Sequence, residues 1–198
     1  MTTITEPDTT TAGHPIQRIA GRTVLENPFL RVDTDDVVFP NGAPGAYSVV
    51  TSGTGLGVIA VPFVNFRGIA YLGLVRQYRY PMKDYTLEFP RGGSDNLSLA
   101  EAARELVEET GLQATSATPL GIIWPDTGIL STQVSVWKTT HASNGLRPEH
   151  VEDETGAHVL WYTHGEIIGM IRRGWIRCGM TLASLALIEG MGALSCPQ

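Results

Sequence analysis

Apolar and polar positions follow two periods along this chain, and they divide it. From Arg18 to Phe39 the alternation is strand-like, as in Arg31-Val32-Asp33-Thr34-Asp35 followed by Val37-Val38-Phe39. Asn41-Gly42-Ala43-Pro44-Gly45 supplies turn chemistry, and Tyr47 to Thr51 reads as a further strand. The glycines of Gly53-Thr54-Gly55-Leu56-Gly57 lack the last glycine of a dinucleotide loop and a following helix, so they predict a hairpin turn. Val58 to Phe66 and Ile69 to Tyr78 predict a buried hairpin turning at Arg67-Gly68, with Pro62 pushing its first strand toward an edge or a bulge.

The period then changes. Thr86 to Pro90 is a short strand leading into Arg91-Gly92-Gly93, and a helix begins at the Ser98 and Glu101 capping box and stops at Gly111-Leu112. Leu99, Ala102, Ala103, Leu106 and Val107 form its apolar side. Leu120–Trp124 and Gln133–Trp137 are strands around a loop from Pro125 to Ser131. His141 to Gly156 is a polar, acidic loop before a last strand, Val159 to Tyr162. Thr163 and Glu166 repeat the capping box and open a helix ending at Gly174; a final helix covers Met180 to Ile188. Strands, a helix, strands, then helices fit a mixed α/β sandwich of α+β type better than a doubly wound sheet.

Composition narrows the class. The 198 residues suit one domain, and 42% hydrophobic with 17% charged residues is globular material. Twenty acids against fourteen bases give a net charge of −6, which argues against a nucleic-acid platform. Cys178 and Cys196 form neither a disulfide framework nor a zinc pattern. The Thr-rich start has no apolar segment, and no stretch approaches the roughly 20 residues that span a bilayer. A soluble, cytoplasmic protein with no membrane partner is expected.

The chemistry concentrates in Arg104-Glu105-Leu106-Val107-Glu108-Glu109-Thr110-Gly111-Leu112. Helical spacing puts Glu105, Glu108 and Glu109 on one face, with Glu101 one turn earlier. Like charges so spaced repel, and Glu109 lies where the helix dipole disfavours anions. A solvated acidic face paired by Arg104 is one reading. A site for a hard divalent cation, Mg²⁺ or Mn²⁺, is the other.

This segment resembles the second half of the Nudix box, in which R-E-U-x-E-E-x-G-U is specified and U is aliphatic. Glu88-Phe89-Pro90-Arg91-Gly92 and Leu74-Val75-Arg76-Gln77-Tyr78-Arg79-Tyr80-Pro81 are similar to the entry strands of the ADP-ribose pyrophosphatase-like branch. The box is shortened: Asn96 stands where the family has an early Glu, with Glu101 as a partial substitute.

The resemblance implies a Nudix α/β/α sandwich over residues 53–192, preceded by a small antiparallel β-element at 16–52; the polar, Thr-rich stretch 1–15 is expected to be a disordered tail and 193–198 a second tail. It implies Glu105, Glu109 and then Glu108 as metal ligands, with the Arg91 carbonyl completing the set and Gly92, Arg104 and Gly111 structural. The general base is expected from the acidic loop, Glu152 first and Glu154 second, with Glu109 in the catalytic group. Arg79 is expected to grip a substrate phosphate, Arg91 to add a second contact, and Trp124 to stack on a base or pack in the core. The implied activity is metal-dependent hydrolysis of a nucleoside diphosphate linked to another group, ADP-ribose leading, by a homodimer joined through the N-terminal element. A nucleotide sugar or other organic diphosphate as substrate, and a non-catalytic nucleotide-binding module, are the alternatives.

Overall fold

The computed structural model describes residues 15–142, 151–152 and 158–194, the side chains of 151, 152 and 158 excepted. Strands β1 (Gln17–Glu26), β2 (Leu30–Val38) and β3 (Pro44–Ser52) form an antiparallel sheet in that order. The single alternating run from Arg18 is thus two strands. Asn27 breaks it, its side-chain oxygen accepting the N–H groups of Phe29 (2.8 Å) and Leu30 (3.0 Å) to close a turn. β3 is tied to the rest of the protein through Val50, whose N–H bonds Ile129 C=O (2.9 Å) and whose C=O accepts from Ser131 N–H (3.0 Å). The Gly53–Gly57 segment is not a hairpin turn. It carries the chain from this sheet into a second one, with Gly53 and Gly55 at φ +51° and +81°.

The second sheet contains β4 (Leu56–Phe66), β5 (Ile69–Arg79), β6 (Asp84–Glu88), β7 (Arg91–Gly93), β8 (Ser116–Ile123), β9 (Gln133–Thr140), β10 (Val151–Glu152) and β11 (His158–Thr163). Its order is β10-β11-β5-β4-β9-β8, with β6 added to β5 and β7 to β4. β4 and β9 are parallel and the other pairs antiparallel, so the sheet is mixed. β4 is buried from Gly57 to Val64, as its unbroken apolar run requires of a strand covered on both faces. Ile59, Val61 and Phe63 pack with Ile167 and Met170 of α2 (His164–Arg172) and Leu185 and Ile188 of α3 (Gly179–Gly190). On the other face, Val64, Tyr71, Val159 and Trp161 form a smaller cluster that Leu112 joins, just after α1 (Leu99–Thr110). Helices therefore flank the sheet on both sides. The expected α/β/α sandwich with a preceding antiparallel element is what the chain forms.

Pro62 lies in a central strand, not at an edge. Its missing N–H falls on the same side as Ala60 N–H, which bonds Pro90 C=O (2.9 Å). On that side β4 pairs β5 only from Phe63 onward and β7 only up to Ile59, so the proline occupies the gap where the neighbours diverge. The β4–β5 turn is as expected, with Arg67 and Gly68 both left-handed (φ +52° and +81°).

α1 starts with half a capping box: Ser98 Oγ accepts Glu101 N–H (3.4 Å), but Glu101's carboxylate turns to Arg104. α2 carries the full reciprocal box between Thr163 and Glu166. Ala102 and Leu106 are wholly buried under α1, and burying a leucine side chain contributes about 2 kcal/mol. Leu99 and Val107, expected on that side, are exposed instead, because the short helix presents a narrower stripe to β4, β7 and β9 than five residues fill. Among the described residues no helix is long and apolar enough to cross a membrane.

Candidate active site

Strand alternation sets up the first half of the site. On β5, Gln77 and Arg79 project from one face; on β6, Thr86 and Glu88 meet them. Glu88 is 2% exposed and accepts four hydrogen bonds: from Arg79 Nε (3.0 Å) and Nη2 (2.6 Å), Thr86 Oγ1 (2.7 Å) and Arg91 Nε (3.0 Å). Burial alone would raise its pKa. The hydrogen bonds from Arg79 and Thr86 and the charges of Arg91 and Arg79 outweigh it and hold the carboxyl at about 2. Arg79 is correspondingly pushed above its ordinary value by its bond to Glu88.

β7 links this cluster to the helix. With Ala60 bonded to Pro90 and Ile59 opposite Arg91, ladder alternation turns the N–H and C=O of Arg91 away from β4. The N–H reaches Glu109 Oε2 at 3.1 Å, and Gln77 Nε2 donates to Glu109 Oε1 at 2.9 Å. Glu109's pKa is nonetheless raised, chiefly by burial and further by the neighbouring charge of Glu105. Glu105 is itself buried and lies against Gly92, where any Cβ would overlap its carboxylate. A glycine at this position lets the carboxylate approach the strand this closely.

The three expected carboxylates are therefore not equivalent. Glu105 and Glu109 face β7, whereas Glu108 is exposed and held by Arg104 Nη1 (2.8 Å). Arg104 Nη2 also bonds Glu101 (3.0 Å), Glu105 (2.7 Å) and Gly93 C=O (3.1 Å), so this guanidinium ties one end of the helix face to β7. Gly111 takes the left-handed helix-stop conformation at φ 67°.

Among the described residues no three carboxylate, imidazole or thiolate groups converge as a metal-binding group. The donor chemistry still fits a hard divalent cation. Glu105, Glu109 and the outward Arg91 carbonyl offer oxygen only, the first two repel one another, and Gln77 Oε1 is buried with no hydrogen-bond partner among the described residues.

Arg79, Arg91, Gly92 and Gly93 line a cavity of about 410 Å³ together with Pro28 and Phe29 from the β1–β2 turn and Met180 of α3. Trp124, 48% exposed, is not among its lining residues, although Pro125 is; a core position for Trp124 is excluded as well. Glu152 lies on β10, its backbone opposite His158, and Glu154 falls outside the described residues. Sequence reasoning gave no role to Glu88 or Gln77. An acid alternating with Thr86 on a strand between two arginines was the available signal for the first. Gln77, one polar residue among several, offered none.

A family model described as nucleoside diphosphate sugar hydrolase N-terminal domain matches residues 16–50. The chain is 26% identical over 183 residues to an ADP-ribose pyrophosphatase from Mycobacterium tuberculosis (strain ATCC 25618 / H37Rv), covering 91% of this chain and 86% of the relative. A crystal structure titled ADP compounds hydrolase superposes with a TM-score of 0.70 at 21% identity, covering 92% of this chain and 99% of that one, and shows the same fold. These similarities bear out the resemblance carried by the box, to Nudix hydrolases of the ADP-ribose pyrophosphatase-like branch, and the reading of the chain as a pyrophosphohydrolase of that type.

Proposed function

We propose that the chain hydrolyses a nucleoside diphosphate linked to a second group, with ADP-ribose the leading substrate and AMP and ribose 5-phosphate the products, and that it depends on Mg²⁺ or Mn²⁺. The observation that carries this is the meeting, across Arg91 and Gly92, of a cation-rich cluster lining a cavity with a pair of carboxylates, one buried and one half-buried. A diphosphate satisfies the first and a divalent cation the second. When bound, the cation supplies charge neutralisation and an acidified water. Gln77 and the Arg91 N–H orient Glu109, Arg104 orients Glu105, and Arg79 and Arg91 hold phosphate oxygens in line, which is most of what phosphoryl transfer asks of a protein. Glu152, or Glu154 after it, takes the proton of the attacking water from the segment that leads into β11.

A nucleotide sugar is the second reading, favoured by the description of the family model at 16–50. Incubation with ADP-ribose and a panel of nucleotide sugars in Mg²⁺, following released monophosphate, separates the two. ADP-ribose is expected to turn over fastest. Calorimetric binding without release in Mg²⁺ or Mn²⁺ would instead make this a non-catalytic module.

The N-terminal sheet is proposed to join two copies. Ile19, Val24, Leu25 and Phe29 are all more than half exposed there, more apolar surface than a three-stranded sheet carries stably in water. Light scattering should give twice the 21.4 kDa of one chain; a single-chain mass at micromolar concentration rules the dimer out.

A further inference from the structure

We propose that Gln77 is a positioning residue that acts through both ends of its amide: the N–H aims Glu109 at the divalent cation, and the oxygen holds a water of that cation's hydration shell. The proposal rests on the metal-dependent reading above and gives a role to a residue outside the box. From β5, Gln77 Nε2 donates to Glu109 Oε1 at 2.9 Å. Against an ionised Glu109 the amide stands only one way round, because a carboxylate accepts and does not donate. The amide oxygen is therefore turned elsewhere, and there it is buried and accepts nothing among the described residues. The other such atom, Asp35 Oδ1, sits in an ion pair 2.9 Å from Arg18 Nε on the N-terminal sheet, so Gln77 Oε1 is the orphan at the candidate site. A buried acceptor left without a donor costs stability, and at a site such an atom marks where a donor arrives.

The partners of Glu109 explain why an amide does this. Both of its hydrogen bonds come from neutral groups, Gln77 Nε2 and the Arg91 N–H at 3.1 Å. Glu101, Glu105 and Glu108 are instead bonded by the Arg104 guanidinium, and Glu88 by those of Arg79 and Arg91. Glu109 is thus held in place with its charge uncancelled by any hydrogen-bonded cation among the described residues, as a ligand of a divalent ion should be. A lysine or arginine in place of Gln77 would hold the carboxylate as firmly and compete with the ion. The donor and the orphan oxygen belong to one amide group, so the orphan lies one amide width from the carboxylate. Mg²⁺ keeps several waters when bound, and these are the donors that a cation on Glu109 brings with it. Aiming the carboxylate and fixing one water of the shell become a single act of one side chain.

The test uses Mn²⁺ alone as the probe, titrated calorimetrically into the full chain without substrate, so that neither turnover nor phosphate enters. Wild type should bind. Gln77→Met, similar in shape, loses both the donor and the acceptor and should weaken Mn²⁺ about tenfold. Its metal-free melting temperature should fall by no more than a few degrees, because the orphan acceptor goes with the donor. Gln77→Glu returns an acceptor to the same place and should bind Mn²⁺ at least as tightly as wild type. Its metal-free melting temperature should drop, since the new charge faces Glu109. With ADP-ribose and saturating Mg²⁺, Gln77→Met should lower kcat about tenfold and leave KM within about twofold, because the change touches the cation's surroundings and not the phosphates.

Should Gln77→Met fail to fold, Gln77→Asn keeps the amide but falls one methylene short of Glu109, and it should weaken Mn²⁺ about as much. Unchanged Mn²⁺ affinity in Gln77→Met or Gln77→Asn overturns the proposal and leaves the metal-dependent reading standing. A loss in Gln77→Glu as large as that in Gln77→Met also overturns it, since the acceptor would then do nothing. No Mn²⁺ binding by wild type fails the metal-dependent reading and this proposal with it. The expected Mn²⁺ pattern without monophosphate release from ADP-ribose keeps the role of Gln77 and fails the hydrolase reading alone.

Discussion

Two charged clusters meet at β7, and they are opposites. Around Glu88, one carboxylate faces two guanidiniums; the group is buried, fully hydrogen-bonded and held ionised down to about pH 2. Of the four carboxylates of α1, three share one guanidinium, Arg104, which reaches Glu101, Glu105 and Glu108 but not Glu109, whose pKa burial pushes up. The first cluster is satisfied within the protein apart from its surplus positive charge. The second is left with surplus negative charge and an orphaned Gln77 oxygen beside it. A satisfied buried ion cluster positions groups, whereas an unsatisfied one marks a place where something else binds. Variants that move charge between the two sharpen or break this contrast.

The largest effect is expected at the unsatisfied side. Glu109→Gln keeps the shape and removes the charge that a cation needs, so turnover should fall by about 10³-fold with the fold intact. A carboxyl whose folded pKa lies above its unfolded value destabilises the folded state at neutral pH, so the neutral amide should also raise the metal-free melting temperature slightly. Full turnover of this variant at saturating Mg²⁺ removes Glu109 from the ligand set.

The satisfied side predicts the reverse sign. Glu88's pKa is lowered from 4.5 to about 2, so its contribution is complete above about pH 4.5 and is lost as pH falls toward 2. The linked stability is on the order of 3 kcal/mol. Urea melts of wild type should show that loss between pH 4.5 and 2. Glu88→Gln should be less stable at pH 7 and much flatter across the same window; parallel curves would mean that the arginine pairing does not set the carboxyl's titration.

Gly92→Ala tests the contact between the two clusters. The added methyl would overlap the Glu105 carboxylate, which can swing outward at modest cost because it is the end of a side chain. Activity should drop about tenfold or more through the displaced carboxylate, while the melting temperature changes by only a few degrees. A large loss of stability with normal activity in the surviving protein would make Gly92 a folding residue only.

What the chain revealed beforehand follows from the same contrast. The helix cluster was legible because helical spacing places Glu105, Glu108 and Glu109 together on a single element, and local periodicity is a sequence property. Even there, the unequal burial of Glu105 and Glu108 was not visible, since it depends on where β7 passes. The Glu88 cluster was not legible as a unit. Its members come from three strands, and only the β5–β6 register brings Arg79 opposite Asp84 and within reach of Glu88. The two sheets were blurred for a related reason: the Asn27 turn is a side-chain hydrogen bond, and Gly53–Gly57 reads alike whether the next strand pairs back or joins another sheet.

The smallest effect should come from Arg104→Gln, and its smallness is informative. Arg104 has more hydrogen bonds than any other side chain of the box, yet it is 42% exposed, and solvent screens its pairs with Glu101 and Glu108. Losing them should move the melting temperature by no more than about 2 °C. Glu105 is the exception, because it is buried and this is its hydrogen-bond partner. Without Arg104 the Glu105 carboxylate is closer to the condition of Glu109: withdrawn from solvent and repelled by its neighbour, with no guanidinium beside it. The variant should therefore bind Mg²⁺ less precisely rather than not at all, with activity reduced about threefold to tenfold and partly recovered by raising the Mg²⁺ concentration. A melting temperature lowered as far as in Glu88→Gln would erase the distinction between the clusters, since it would mean that the helix face, too, is held together from within.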